Sequence, residues 1–107
     1  MLKLFAVLLA LVISCPAPAM AEAPDAERQA QLLYLLKHDC GSCHGMTRKG
    51  GLGPALLPEN LRDRPEELLV NTILDGRPGT PMPPWRGELS DADALWLVEA
   101  LNRGEGL

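Results

Sequence analysis

The sequence predicts a small all-α domain, and three observations carry that prediction. Apolar residues recur at helical spacing in three segments, each introduced by a residue able to cap free backbone N–H groups. The two stretches between them are dense in Gly and Pro. No alternating apolar and polar run reaches the length of a useful strand, and no internal repeat is present.

The first helix is expected to follow Pro24-Asp25 and to run to about Asp39. Asp25 serves as cap, and Ala26, Ala30, Leu33 and Tyr34 supply the helical spacing. This helix ends directly on Cys40. The second is expected near "DRPEE", where Asp63 and Glu66 have capping-box spacing and Pro65 suits a first turn. Leu69 and Ile73 line one face until Asp75-Gly76 stops it. The third opens at Ser90-Asp91-Ala92-Asp93, a second capping pattern, and Gly104 closes it. Ala94, Leu97, Val98 and Leu101 form its apolar stripe. Residues 45–60 and 76–89 are expected to be ordered loops, the second held extended by four prolines.

With 107 residues the chain has room for one domain, and the sequence divides it into residues 1–21 and 22–107. Residues 1–21 read as an export signal. Lys3 supplies the positive start, Leu4 to Ser14 an apolar run too short to span a bilayer comfortably, and Ala19-Met20-Ala21 an A-x-A cleavage site. An uncleaved anchor is the alternative. "VISC" offers a further one, a loose lipobox in which Cys15 is lipidated; Val12 and Ile13 fit that pattern poorly. Soluble export to the periplasm is the expected localisation, with residues 22–107 as the mature domain.

Losing Lys3 leaves nine Lys+Arg against 14 Asp+Glu, a net charge of −5. That argues against nucleic acid as a partner, which requires a basic surface. A protein partner is expected to present basic groups at the docking site. A domain this small commonly needs a staple at its centre.

The densest chemistry lies in "HDCGSCHGM", residues 38–46. The spacing Cys40-x-x-Cys43-His44 suits three uses: half of a zinc site, a redox dithiol, or covalent haem attachment. Zinc wants four ligands in a tetrahedron, and beyond the two cysteines only His38 and His44 are at hand. A redox CxxC normally opens a helix after a strand, where the helix N-terminus lowers a thiol pKa. Here a helix precedes the motif and no strand is evident. Haem attachment uses all three residues, with two thiols on the two vinyl groups and His44 on the iron. Gly41 and Ser42 are small enough for the backbone to turn beneath the ring.

A sixth iron ligand is sought among Met46, Met82 and His38. Met46 lies two residues beyond His44, and a chain covers at most ~3.6 Å per residue, too little to pass round the porphyrin edge. His38 meets a similar obstacle, so both read as bystanders. Met82 is 38 residues from His44, with chain enough to reach the other face. Pro81, Pro83 and Pro84 restrain its segment, which lowers the entropy lost on ligation. The alternative for Met82 is simple packing. Pro54 in "GLGPAL" is either a turn proline or the residue whose carbonyl accepts the second ring N–H of His44. Trp85 is expected to pack on the haem edge or point its indole N–H at a propionate. Arg48, Lys49, Arg62, Arg64 and Arg86 are propionate candidates, with solvated surface the more ordinary fate of each.

These residues together resemble the class I c-type cytochromes: a helix running into "CGSCH", "GPAL" after it, Met82 between prolines, and a last helix bearing Trp96. Within that class, "DCGSCHGM", "KGGLGPAL", "ILDGRPGTPMPPW" and "LSDADALWLVEAL" are similar to the monohaem NirC-type cytochromes that accompany the cytochrome cd-type nitrite reductase. The resemblance covers the whole of residues 22–107. It implies helices wrapped around one covalent haem c held by Cys40 and Cys43. The first and last helices are expected to cross with Tyr34, Trp96 and Leu97 near the contact, and Pro54 to accept from the haem-binding His44.

The expected function is that of a periplasmic one-electron carrier, His44 and Met82 closing the iron to outside ligands. The protein itself is not expected to be an enzyme. The resemblance implies electron donation to the nitrite reductase or a part in maturing its d-type haem. A haem sensor or enzyme with a labile Met82 is the alternative from another class.

Overall fold

The computed structural model describes residues 11–16 and 22–105 of the chain. Most of the expected export signal, including its Ala19–Ala21 cleavage site, lies outside the described residues. Leu11 to Pro16 have no regular secondary structure and are exposed, Cys15 among them. Among the described residues no helix is long and apolar enough to cross a membrane.

The described residues are helical, without a strand: α1 (Ala26–Leu35), a π-turn (Leu36–Cys40), α2 (Gly41–His44), α3 (Pro58–Leu61), α4 (Glu66–Asp75) and α5 (Asp91–Asn102). α5 is the hub, packing against α4, α1 and α3. Its stripe is the centre of the core: Ala94, Leu97, Val98 and Leu101 are all buried, joined by Leu32 and Leu36 from the first helical segment and Leu74 from α4.

Two of the three helix starts follow their capping residues. The Asp25 carboxylate accepts from Arg28 N–H at 2.8 Å and opens α1. Ser90 and Asp93 form a reciprocal capping box at α5, with bonds of 3.0 and 3.2 Å. The Asp63–Glu66 pair does not behave in this way. α4 begins at Glu66 with Pro65 at its N-cap and no side-chain cap. Pro65 disfavours helical backbone at Arg64 and itself has ψ 134°, so the helix cannot start until after it. Asp63 sits instead in the turn leaving α3, a short helix that the Gly- and Pro-rich composition of its region concealed.

The first helix also departs from expectation at its far end. It does not stop before Cys40 but continues through a π-turn into α2, so that Gly41 N–H reaches back five residues to Leu36 O. An inserted π-turn rotates everything after it relative to α1, and such turns concentrate at functional sites. Tyr34 is a second correction. It is 66 % exposed and packs on His38, ring centroids 4.2 Å apart, while Leu32 and Leu36 take the inward positions. Trp96 and Leu97 are both buried on α5.

Candidate haem-binding site

The π-turn and α2 place Cys40, Cys43 and His44 at positions i, i+3 and i+4 of one continuous helical run. Side chains at those intervals share a face, so both sulfurs and the imidazole project to the same side. Helical winding, and not only short spacing, brings the three groups together.

The loop after α2 folds back on the motif. Gly53 N–H donates to Cys43 O at 2.7 Å, and Gly50 N–H to His44 O at 2.8 Å. Gly53 lies flat against the imidazole: a Cβ there would meet His44 Cε1 at 2.9 Å and Nδ1 at 3.0 Å. Only a residue without a side chain permits that approach. The next residue supplies the acceptor, since His44 Nδ1 lies 2.7 Å from Pro54 O. A carbonyl oxygen can only accept, so Nδ1 carries the proton and Nε2 of the neutral ring keeps a lone pair suited to a metal. The bond also fixes the rotation of the ring.

Cys40 is half-buried, and burial pushes its thiol up to about 11, reinforced by the Asp39 carboxylate. Redox-active CxxC motifs need a thiol shifted the other way, so the protein environment does not favour dithiol chemistry at Cys40. Among the described residues no three His, Cys, Asp or Glu side chains converge on a metal-sized site.

Met82 is half-buried on the loop joining α4 to α5. That loop turns at Gly76, with φ 68°, and the chain returns over it so closely that a Cβ would stand 2.7 Å from Met82 O and 2.8 Å from Pro83 C. Trp85 N–H then donates to Ile73 O and Leu74 O at 3.1 Å, anchoring the end of the loop to the last turn of α4. Trp85 is half-buried against the edge of the core. Met46 and His38 are exposed, Met46 over Gly41 and His38 against Tyr34.

Among the cationic candidates, Lys49, Arg62 and Arg64 are exposed, and Arg86 pairs with Asp75 and Asp91 on the surface. Arg48 differs sharply from the expectation of a solvated side chain. It is 2 % exposed and has left-handed backbone at φ 57°. Its carbonyl accepts from Leu56 N–H at 2.9 Å, which ties the motif loop together. Composition alone gave no signal for this burial. Gly53 was legible only as part of "GLGP"; its approach to the ring was not.

A family model described as cytochrome C oxidase, cbb3-type, subunit III matches residues 25–99. Cytochrome c55X of Pseudomonas aeruginosa is 63 % identical over 98 residues, 91 % of this chain and 82 % of that protein. A solved structure of a c-type cytochrome NirC aligns with TM-score 0.75 and 66 % identity, covering 77 % of this chain and 96 % of the other. The chain belongs to the NirC-type monohaem c-type cytochromes.

This NirC-type cytochrome also resembles part of a larger protein. It is 39 % identical to the dihydro-heme d1 dehydrogenase of Pseudomonas aeruginosa over 88 % of its own length but only 18 % of that enzyme's. As a NirC-type cytochrome it carries one covalently bound haem c, and Cys40 and Cys43 lie in the CxxCH spacing of that attachment. The residues present fit such a group: two thiols and an imidazole on one helical face, and a ring whose tautomer is set by Pro54.

Proposed function

We propose that this cytochrome is a periplasmic one-electron carrier, in which His44 and Met82 would ligate the iron of its haem c and a cytochrome cd-type nitrite reductase would be its electron acceptor. The observation that carries the ligand reading is the 2.7 Å contact between His44 Nδ1 and Pro54 O, which commits one ring nitrogen and leaves the other for iron. A bound haem c supplies reversible one-electron exchange. The chain's own residues do the rest. Cys40 and Cys43 would tether the group, His44 would ligate it, and the restrained loop of residues 76–85 would offer the Met82 thioether. A thioether ligand favours the ferrous state and raises the potential. Two protein ligands leave no place for a substrate, so no bond change is catalysed. Pro54 acts through His44, and Trp85 fixes the end of the methionine loop.

The test is the optical spectrum of the protein expressed with a c-type maturation system. A ferric thioether charge-transfer band, lost in Met82→Ala, and indifference of the ferrous form to carbon monoxide are expected. A ready carbon monoxide adduct of the unaltered protein would overturn the carrier reading in favour of a ligand-binding haem protein.

A second reading, assistance in maturing the d-type haem of the nitrite reductase, is favoured by the kinship with part of a dihydro-heme d1 dehydrogenase. A deletion strain separates the two. Nitrite reductase made without its d-type haem supports maturation; complete enzyme starved of electrons supports the carrier.

A further inference from the structure

The methionine loop is poor in backbone donors, because Pro81, Pro83 and Pro84 have no N–H. From residue 80 to residue 84 only Thr80 and Met82 retain one. Both are used inside the loop. Thr80 N–H donates to Arg77 O at 3.0 Å, and Met82 N–H donates to Thr80 Oγ1 at 3.3 Å. The same hydroxyl donates to Arg77 O at 2.7 Å, and Arg77 N–H closes the circuit on Met82 O at 3.2 Å. Both polar backbone groups of Met82 are therefore held, one of them by a side chain.

We infer that Thr80 is a positioning residue for Met82, its hydroxyl fixing the peptide plane from which the thioether projects. Proline sets φ at position 81 but leaves ψ free, and ψ of Pro81 orients the Met82 N–H. The bond to Thr80 Oγ1 removes that remaining freedom. The hydroxyl is itself held by Arg77 O, and a β-branched residue has few χ1 states to lose. The loop thus presents Met82 already ordered, and less entropy is lost when the sulfur binds. The flanking prolines cannot substitute for this hydroxyl, since they supply neither a side-chain acceptor nor a donor.

This inference rests on the reading of Met82 as an axial ligand, and the experiment separates the two. Haem-loaded Thr80→Val, Thr80→Ser and Met82→Ala proteins are titrated in the ferric state with imidazole, which competes with the thioether. The charge-transfer band and the helical circular dichroism are recorded alongside. Thr80→Val keeps the shape and removes the hydroxyl, so its imidazole affinity is expected to rise about fivefold with unchanged helicity (~1 kcal/mol, one exposed hydrogen bond). Thr80→Ser restores the hydroxyl and is expected to stay within about twofold of the unaltered protein. If Thr80→Val disturbs helicity, Thr80→Ala and Thr80→Ser provide the same comparison. Unaltered affinity in the variants lacking the hydroxyl, or an equal rise in Thr80→Ser, overturns the positioning role. A Met82→Ala protein that keeps the band and the original affinity overturns the ligand reading instead.

Discussion

The Arg28 guanidinium reaches Asp93 Oδ2 at 2.8 Å and links the start of the first helix to the start of the last. Arg28 also donates to Glu88 O at 3.1 Å, while Asp93 accepts the Ser90 N–H within the α5 capping box. One carboxylate thus closes a cap and a helix–helix contact together. Asp93 is largely buried, so leaving it without its partner is costly. Arg28→Ala is expected to lower stability by about 1–2 kcal/mol, or roughly 5–15 °C in Tm for a domain of this size. A calorimetric double-mutant cycle with Asp93→Asn checks the coupling, and strict additivity would refute it.

Acid should reveal the same pair. The Arg28 hydrogen bond, aided by the Ser90 backbone, holds the Asp93 carboxyl below its usual value of 3.8. The folded protein therefore binds fewer protons here than the unfolded chain. The stabilisation is complete above the unfolded value and is lost as pH falls through the folded one. Denaturant midpoints measured from about pH 5 to about pH 2 should fall less steeply in Asp93→Asn than in the unaltered protein. The Asp75 carboxyl is also lowered, by Arg86, but that pair is solvent-exposed. Asp75→Asn should leave the acid profile nearly unchanged.

Gly53 should tolerate nothing larger. The Cβ of Gly53→Ala meets the His44 ring at 2.9 Å, and ring or loop must give way. Either response stretches the 2.7 Å bond to Pro54 O. A histidine that donates less strongly is a weaker base and stabilises ferric iron less. With His44 as the proposed iron ligand, the reduction potential of Gly53→Ala is expected to rise, as read by redox titration; a fall or no change would refute this account.

Two glycines of the methionine loop provide an internal contrast. Gly76 and Gly79 both have left-handed φ, at 68° and 81°, but a Cβ at 76 collides with backbone while one at 79 meets open space. Gly79→Ala is expected to cost about 1 kcal/mol from backbone conformation alone. Gly76→Ala should cost about 3 kcal/mol and, under the proposed Met82 ligation, weaken the thioether band, because Met82 O must move. Chemical denaturation with optical detection compares them, and equal losses would contradict the structure.

An acidic chain that docks electrostatically should do so less well in salt. The rate of electron transfer to purified nitrite reductase is expected to fall as ionic strength rises over the range where the Debye length shrinks from about 30 to about 8 Å. A flat profile would remove charge from the docking contribution.

Much of this protein was legible in its sequence because the signals are local. Asp25 and Ser90-x-x-Asp93 announce helix starts through bonds to their own neighbours, and the Ala94, Leu97, Val98, Leu101 stripe needs only helical period to be read. The CxxCH motif carries its chemistry in its spacing. Pro65 misled for a related reason: Asp63 and Glu66 have the right separation, yet the proline between them moved the helix start past the cap.

What the tertiary structure decided are the relationships between distant segments and the phase of the helix leading to them. A π-turn cannot be read from periodicity, yet it sets the direction of Cys40, Cys43 and His44 relative to α1. Burial of Arg48, the approach of Gly53 to an imidazole nine residues earlier, and the clasp of Arg28 on Asp93 all depend on chain return. The sequence by itself determined the CxxCH attachment motif of Cys40, Cys43 and His44 and named Met82 as the candidate second ligand, because attachment chemistry depends on residue type and spacing. The tertiary structure decided how those groups are aimed, because the tautomer and rotation of His44 and the restraint on the Met82 backbone come from atoms brought near only by folding.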